Sequence, residues 1–143
     1  MNKYSPDLSS QFKDKVIIVT GSTQGSGAET AKLLAHRGAK GITICGRKEK
    51  EGLEVKEVIE KIGSECVFIK ADLSKEKDCR NIVNLTDENF GRVNSLINVA
   101  GFTERGTILS TTMENYDMCF NVNTRAPFIL MQDSIKIMIR EKI

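Results

Sequence analysis

No two of the four cysteines form a C-x-x-C pair; Cys45, Cys66, Cys79 and Cys119 are scattered along the chain. That scatter supports neither a zinc site nor a thiol redox motif, and it leaves the reduced thiols of a cytoplasmic protein as the expectation, with no metal ligands assigned. Histidine occurs once, at His36 beside Arg37, where a surface or capping role is expected and no Ser, His and Asp constellation can be assembled. Apolar runs long enough to cross a bilayer are absent. Met1 to Lys15 is polar, contains Pro6 and has no apolar segment of a secretion signal. Nor is one sign of charge in excess: 21 basic and 19 acidic residues leave a formal net charge of +2. The charges are interspersed, so no basic stripe points to nucleic acid. With no internal repeat, 143 residues amount to one domain, short for a complete six- or seven-stranded nucleotide-binding sheet.

The densest signal is VIIVTGSTQGSGA, residues 16 to 28. Val16, Ile17, Ile18 and Val19 are apolar without polar alternation, the pattern of a central parallel strand covered on both faces. Gly21, Gly25 and Gly27 follow, and Ala28, Ala31, Leu34 and Ala35 then recur at helical spacing until Arg37 and Gly38. Strand, glycine turn and helix are the order a phosphate site needs. The turn lets backbone approach the ligand, and the helix's first amides and dipole face the anion. The spacing is G-x-x-x-G-x-G, neither the G-x-G-x-x-G fingerprint nor a P-loop, whose Lys is absent. An ordinary flexible turn is the competing reading.

Downstream, the apolar stretches GITIC (41 to 45), CVFIKA (66 to 71) and SLINVAG (95 to 101) read as strands. Between them run a helix from Lys48 to Ile62, closed by Gly63, and one from about Ser74 to Phe90, broken by Gly91. Val55, Val58, Ile59 and Ile62 form one stripe of the former and are assigned to the core. After a polar loop from Phe102 to Ser110, Thr111 and Glu114 satisfy a capping box for a helix starting at Thr112 or Met113. Asn121-Val122-Asn123 interrupts that helix, and Thr124 to Ile143 continues it. Residues 1 to 12 read as a polar tail and 13 to 143 as one α/β unit. The alternation predicts a partial Rossmann-type, doubly wound parallel sheet of about four strands in the order 3-2-1-4.

Thr20 through Gly27 resembles, position by position, the T-G-x-x-x-G-x-G turn of the short-chain dehydrogenase/reductase (SDR) family, departing at Ser26, where that family usually has an aliphatic residue. SLINVAG is similar to the family's N-N-A-G motif, with Val99 at the second position. The resemblance covers nearly all of this chain but only the first part of an SDR domain. It implies cofactor contacts from Gly21, Ser22, Thr23, Gln24, Ser26 and Gly27 in the turn. Asp72 would bond the adenine amino group with Leu73 packed on the ring, Asn98 would tie adjoining strands, and Ala100-Gly101 would admit the nicotinamide ribose. Asn123 would kink the long helix and hold a water of the catalytic proton relay. Taken alone, Asp72 is a turn residue, Asn98 a satisfied structural amide, and Asn123 a solvent-facing or backbone-bonded side chain. An acid after the second strand would meet the ribose hydroxyls of NAD; Gly46-Arg47 stands there instead and suits a 2′-phosphate, favouring NADP(H) over NAD(H). Gln24 weakens that preference, because NADP-preferring relatives often carry a base in the glycine turn.

SDR enzymes donate a proton from a Tyr, with a Lys four residues later and an upstream Ser. Here the tyrosines are Tyr4 and Tyr116, followed four residues on by Leu8 and Phe120, so Y-x-x-x-K does not occur in these 143 residues. The resemblance therefore implies an NAD(P)-dependent oxidoreductase of the carbonyl reductase or alcohol dehydrogenase class, acting on an unknown alcohol or carbonyl. This chain would be its truncated, catalytically incomplete cofactor-binding portion. A non-catalytic nucleotide-binding or oligomerisation module is the alternative. A methyltransferase of the same strand order is a weaker one, since such folds place an acid after the second strand. An apolar edge at SLINVAG and an apolar face on the last helix carry an expectation of homo-oligomerisation.

Overall fold

The computed structural model describes residues 7–143. Tyr4 and the first half of the expected tail lie outside the described residues. Strand β1 (Val16–Val19) is followed by α1 (Gly25–His36), β2 (Gly41–Gly46), α2 (Glu49–Ile62), β3 (Glu65–Lys70), α3 (Glu76–Phe90) and β4 (Ser95–Ile97). A last helical rod comprises α4 (Met113–Phe120), a π turn (Asn121–Arg125) and α5 (Ala126–Arg140). All pairings are parallel and the sheet order is β3-β2-β1-β4, as the alternation of elements predicts.

Alternate residues of the central strands feed two separate cores. Ile17, Val19, Ile42 and Ile44 pack with Ala28, Ala31, Leu34, Val55 and Ile59, so α1 and α2 cover one face. Ile18 and Cys45 pack with Cys79, Ile82, Val83, Ile129 and Leu130, so α3 and α5 cover the other. Burial on both faces is why VIIV shows no polar alternation.

Four expectations are corrected in detail. Val58 is 39% exposed, because it sits at the margin of the α2 stripe whose centre is Val55 and Ile59. SLINVAG keeps strand geometry only as far as Ile97, and Asn98 onwards turns into loop, while β4 takes the expected edge position. The helix cap is Thr112, whose Oγ1 accepts the Asn115 N–H at 3.2 Å; Thr111 instead donates its hydroxyl to the Thr107 carbonyl at 2.8 Å. Residues 8–12 are anchored turns, with Phe12 seated against the α1 and α2 core and its N–H bonded to the Arg37 carbonyl at 2.9 Å.

The expected interruption of the last helix is a π turn at Asn121–Arg125. Pro127, one residue beyond Ala126, has no N–H to give, so the wider turn falls where the regular hydrogen-bond ladder would break in any case.

Candidate functional site

The carboxyl ends of the four strands open on the same side of the sheet, and the loops leaving them enclose a cleft of about 360 Å³. Winding reverses between β1 and β4, the position at which open α/β sheets bind ligands.

The glycine turn forms the floor. Gly21 has φ +62°, and a Cβ there would stand 2.8 Å from the Ala100 Cα, so only glycine permits this backbone against the β4 loop. Gly27 lies against the Gly21 carbonyl with no room for a side chain. Ser22 is fully buried beneath the turn: its hydroxyl donates to the Val19 carbonyl at 2.6 Å and accepts the Cys45 N–H at 3.0 Å. Those bonds staple the turn to the ends of β1 and β2.

Helix α1 begins above this floor without a cap. Gln24 makes no capping bond, no acid occupies the first turn, and the first helical bond runs from Ala28 N–H to the Gln24 carbonyl at 3.3 Å. The amides of Gly25, Ser26 and Gly27 therefore have no helical partner, and the positive end of the dipole faces the cleft. Gly21, Thr23, Gln24 and Ser26 line it; Gly27 and Ser22 support it from below.

Cations gather on the β2 side. Arg47 and Lys48 are exposed and line the cleft, and Lys48 Nζ donates to Gln24 Oε1 at 2.7 Å. An ammonium thus reaches the glycine turn from a neighbouring loop, although position 24 itself is uncharged. The signal for Lys48 was its place next to Arg47, but only the tertiary contact with Gln24 distinguishes it from a helix-start surface residue.

Asp72 and Leu73 line the wall after β3. Asp72 Oδ1 accepts the Ser74 N–H at 3.0 Å and the Ser74 hydroxyl at 2.8 Å, and its own N–H is held by Asp78 Oδ2 at 2.9 Å. Burial pushes its carboxyl up, but the Ser74 bonds, with Lys75 and Arg47 nearby, outweigh it and hold the group below the usual value of 3.8. The turn role and the cleft position coexist in one side chain: one oxygen is occupied by Ser74, and Oδ2 has no hydrogen bond among the described residues.

Ala100 and Gly101 line the opposite wall together with Val99 and Phe102. This loop is held by a residue not assigned to it from sequence: Thr20, buried, accepts the Val99 and Ala100 N–H groups on Oγ1 at 3.0 and 3.1 Å. Asn98, by contrast, is exposed and away from the cleft lining. It follows Ile97, the last residue of β4. Asn123 also stays off the lining but grips Phe102, accepting its N–H at 2.8 Å and donating to its carbonyl at 2.7 Å. Met118 and Val122 reach the cleft one helical turn apart, a placement the sequence shares with ordinary core residues.

Elsewhere the chemistry is quiet. Burial pushes the Cys45 and Cys66 thiols up to about 12 and Cys79 to about 11. Among the described residues no group of three or more His, Cys, Asp or Glu gathers to hold a metal, and no helix is long and apolar enough to cross a membrane.

Comparison with known proteins agrees with this geometry. The family model for short chain dehydrogenase matches residues 15–143. An uncharacterized oxidoreductase of Thermotoga maritima is 38% identical over 127 residues, covering 89% of this chain and 49% of that protein. A short chain dehydrogenase from Burkholderia cenocepacia, solved in complex with NADP, is 31% identical with a TM-score of 0.85, over 88% of this chain and 51% of that one. An NADH-dependent reductase solved with NAD is 26% identical with a TM-score of 0.82, over 90% and 54%. The chain thus spans about half the length of each of these proteins.

Proposed function

This chain belongs to the short-chain dehydrogenase/reductase family, and from that premise we propose that it is the NADP(H)-binding portion of an oxidoreductase acting on an alcohol or carbonyl substrate. The observation that carries the reading is the uncapped start of α1, set over a turn in which Gly21 and Gly27 leave no room for side chains. Main-chain amides there would hold the diphosphate. The free oxygen of Asp72 would accept the adenine amino group, with Leu73 against the ring, and Ala100-Gly101 would lie along the nicotinamide ribose. Asn123 would keep Phe102, and with it the wall beside the nicotinamide, in place.

The bound dinucleotide supplies or takes up hydride; the chain's part is to orient it and exclude water from one side. Proton donation to the developing alkoxide needs a positioned acid, and we assign that group to sequence outside these 143 residues, because none of the 143 forms a Tyr and Lys pair four residues apart. The proposed location is the cytoplasm, in keeping with four unpaired cysteines.

Preference for NADP(H) rests on Arg47, whose guanidinium makes no ion pair among the described residues, and on Lys48 beside it. Titration calorimetry with NADPH and NADH tests it. NADPH should bind more tightly, and Arg47→Ala should weaken NADPH by roughly tenfold, the scale of one charge-assisted contact, with little change for NADH. Equal loss for both coenzymes would remove the 2′-phosphate assignment, and absence of heat with either, on folded protein, would remove the cofactor assignment itself.

A further inference from the structure

The π turn touches both walls of the cleft. Asn123 holds Phe102 on the β4 side. Two residues later, Arg125 reaches the other way and donates from Nη2 to the Ser74 carbonyl at 2.6 Å, a contact between positions 51 apart in sequence. Ser74 is the residue whose amide and hydroxyl fix one oxygen of Asp72. Resting on the dinucleotide reading above, we propose that Arg125 is a positioning residue for the adenine end of the cleft, acting through Ser74 on the orientation of the Asp72 carboxylate.

The physical argument runs through the short turn between β3 and α3. Its backbone is tied by Lys75 N–H to the Asp72 carbonyl at 2.9 Å and by Asp78 to the Asp72 N–H, both local bonds, neither of which holds Ser74 itself. Ala71 N–H holds the start of the turn to the Gly46 carbonyl at 3.0 Å, and Arg125 adds the long-range hydrogen bond that reaches Ser74 itself. If Ser74 turns, its two bonds to Asp72 Oδ1 turn with it, and the carboxylate is reoriented in the cleft that Asp72 lines. An exposed arginine on a helical rod would ordinarily remain solvated, since ordering its long side chain costs conformational entropy. A charge-assisted bond to a backbone carbonyl offsets that cost. The π turn contributes by adding a residue to the rod between Asn123 and α5, and such turns are frequent where a helix serves a site. One rigid turn therefore sets the separation of the two walls, with Asn123 acting toward the nicotinamide and Arg125 toward the adenine.

The test uses the full chain, with native circular dichroism confirmed for each variant, and measures adenosine monophosphate and nicotinamide mononucleotide by displacement of NADPH fluorescence. Arg125→Ala should weaken adenosine monophosphate by roughly tenfold while leaving nicotinamide mononucleotide unchanged, and Arg125→Lys, which keeps a donor, should recover part of the loss. In an Asp72→Ala background, Arg125→Ala should add nothing further, because the two side chains act in series. Arg125→Gln takes the place of the alanine variant if the latter loses its native spectrum. Unchanged adenosine monophosphate affinity, equal losses for both half-molecules, or full additivity with Asp72→Ala would each overturn the assignment of Arg125 alone. A wild-type chain that is folded but binds no NADPH would take the cofactor reading down with it.

Discussion

Thr20 illustrates how much of the cleft depends on single side chains that do not line it. Its hydroxyl oxygen accepts two backbone N–H groups, from Val99 and Ala100, at the point where β4 ends and the chain has left regular pairing. Thr20→Val keeps the shape and removes the acceptor, leaving two amides without a partner. The expected cost is about 1–3 kcal/mol of stability, read as a lower urea midpoint, with Thr20→Ser close to wild type. A valine variant of undiminished stability would mean that water or another group serves those amides. Ser22 works in the same manner on the other side of the turn, which is why a residue assigned by motif to the cofactor is found beneath it.

Among the elements, the pairing of α3 with α5 carries the clearest electrostatic signature. Arg140 clasps Asp87 through two bonds of 2.8 and 2.7 Å and adds the Gly91 carbonyl at 3.1 Å, while Arg80 meets Asp133 at 2.9 Å. The Arg140 fork holds the Asp87 carboxyl below its usual value of 3.8. For Asp133, burial acts upward but the bonds from Lys136 and Arg80 prevail, and it too is lowered. Carboxyls lowered by folding stabilise the native state above the unfolded value, and that contribution disappears as pH falls through their folded values. Stability should therefore be flat from neutral pH down to about 5 and decline below about 4. Each pair contributes little, because the arginines remain in water and the solvent screens them. Denaturant midpoints against pH check this: Asp87→Asn should lower the neutral plateau and make the acid decline shallower. A decline beginning near pH 6 would point to a different group.

At the scale of the whole molecule, the last helical rod is apolar on two sides. Ala126, Ile129, Leu130 and Ile137 of α5 are buried against the sheet, yet Phe128, Met131, Ile135 and Ile139 are exposed on the opposite stripe, at 45–72%. Met113, Tyr116 and Phe120 of α4 are exposed as well. A helix with apolar residues all round belongs in an interior, and contiguous exposed apolar surface favours association. Sedimentation should accordingly reveal concentration-dependent self-association, and replacing Phe128 and Ile135 by Lys should return the chain to a monomer without lowering its melting temperature. A wild-type chain that stays monomeric at every accessible concentration would refute the expectation that this surface self-associates.

Much of this protein is written in short-range pattern. Uninterrupted β-branched runs mark strands covered twice, helical spacing marks α1 to α3, and glycines at their ends mark the stops; these are local properties, so the elements and the glycine turn are legible from residues alone. The interruption at Asn121-Val122-Asn123 is legible for the same reason. What the sequence could not determine are matters of partnership across the chain. Lys48 reaches Gln24, Thr20 holds the β4 loop, Arg125 reaches Ser74, and Asn98 ends beside a strand with only one neighbour. Hydrogen bonds and burial are set by which segments meet in space, and residues tens of positions apart meet only once the sheet has brought their loops to one edge.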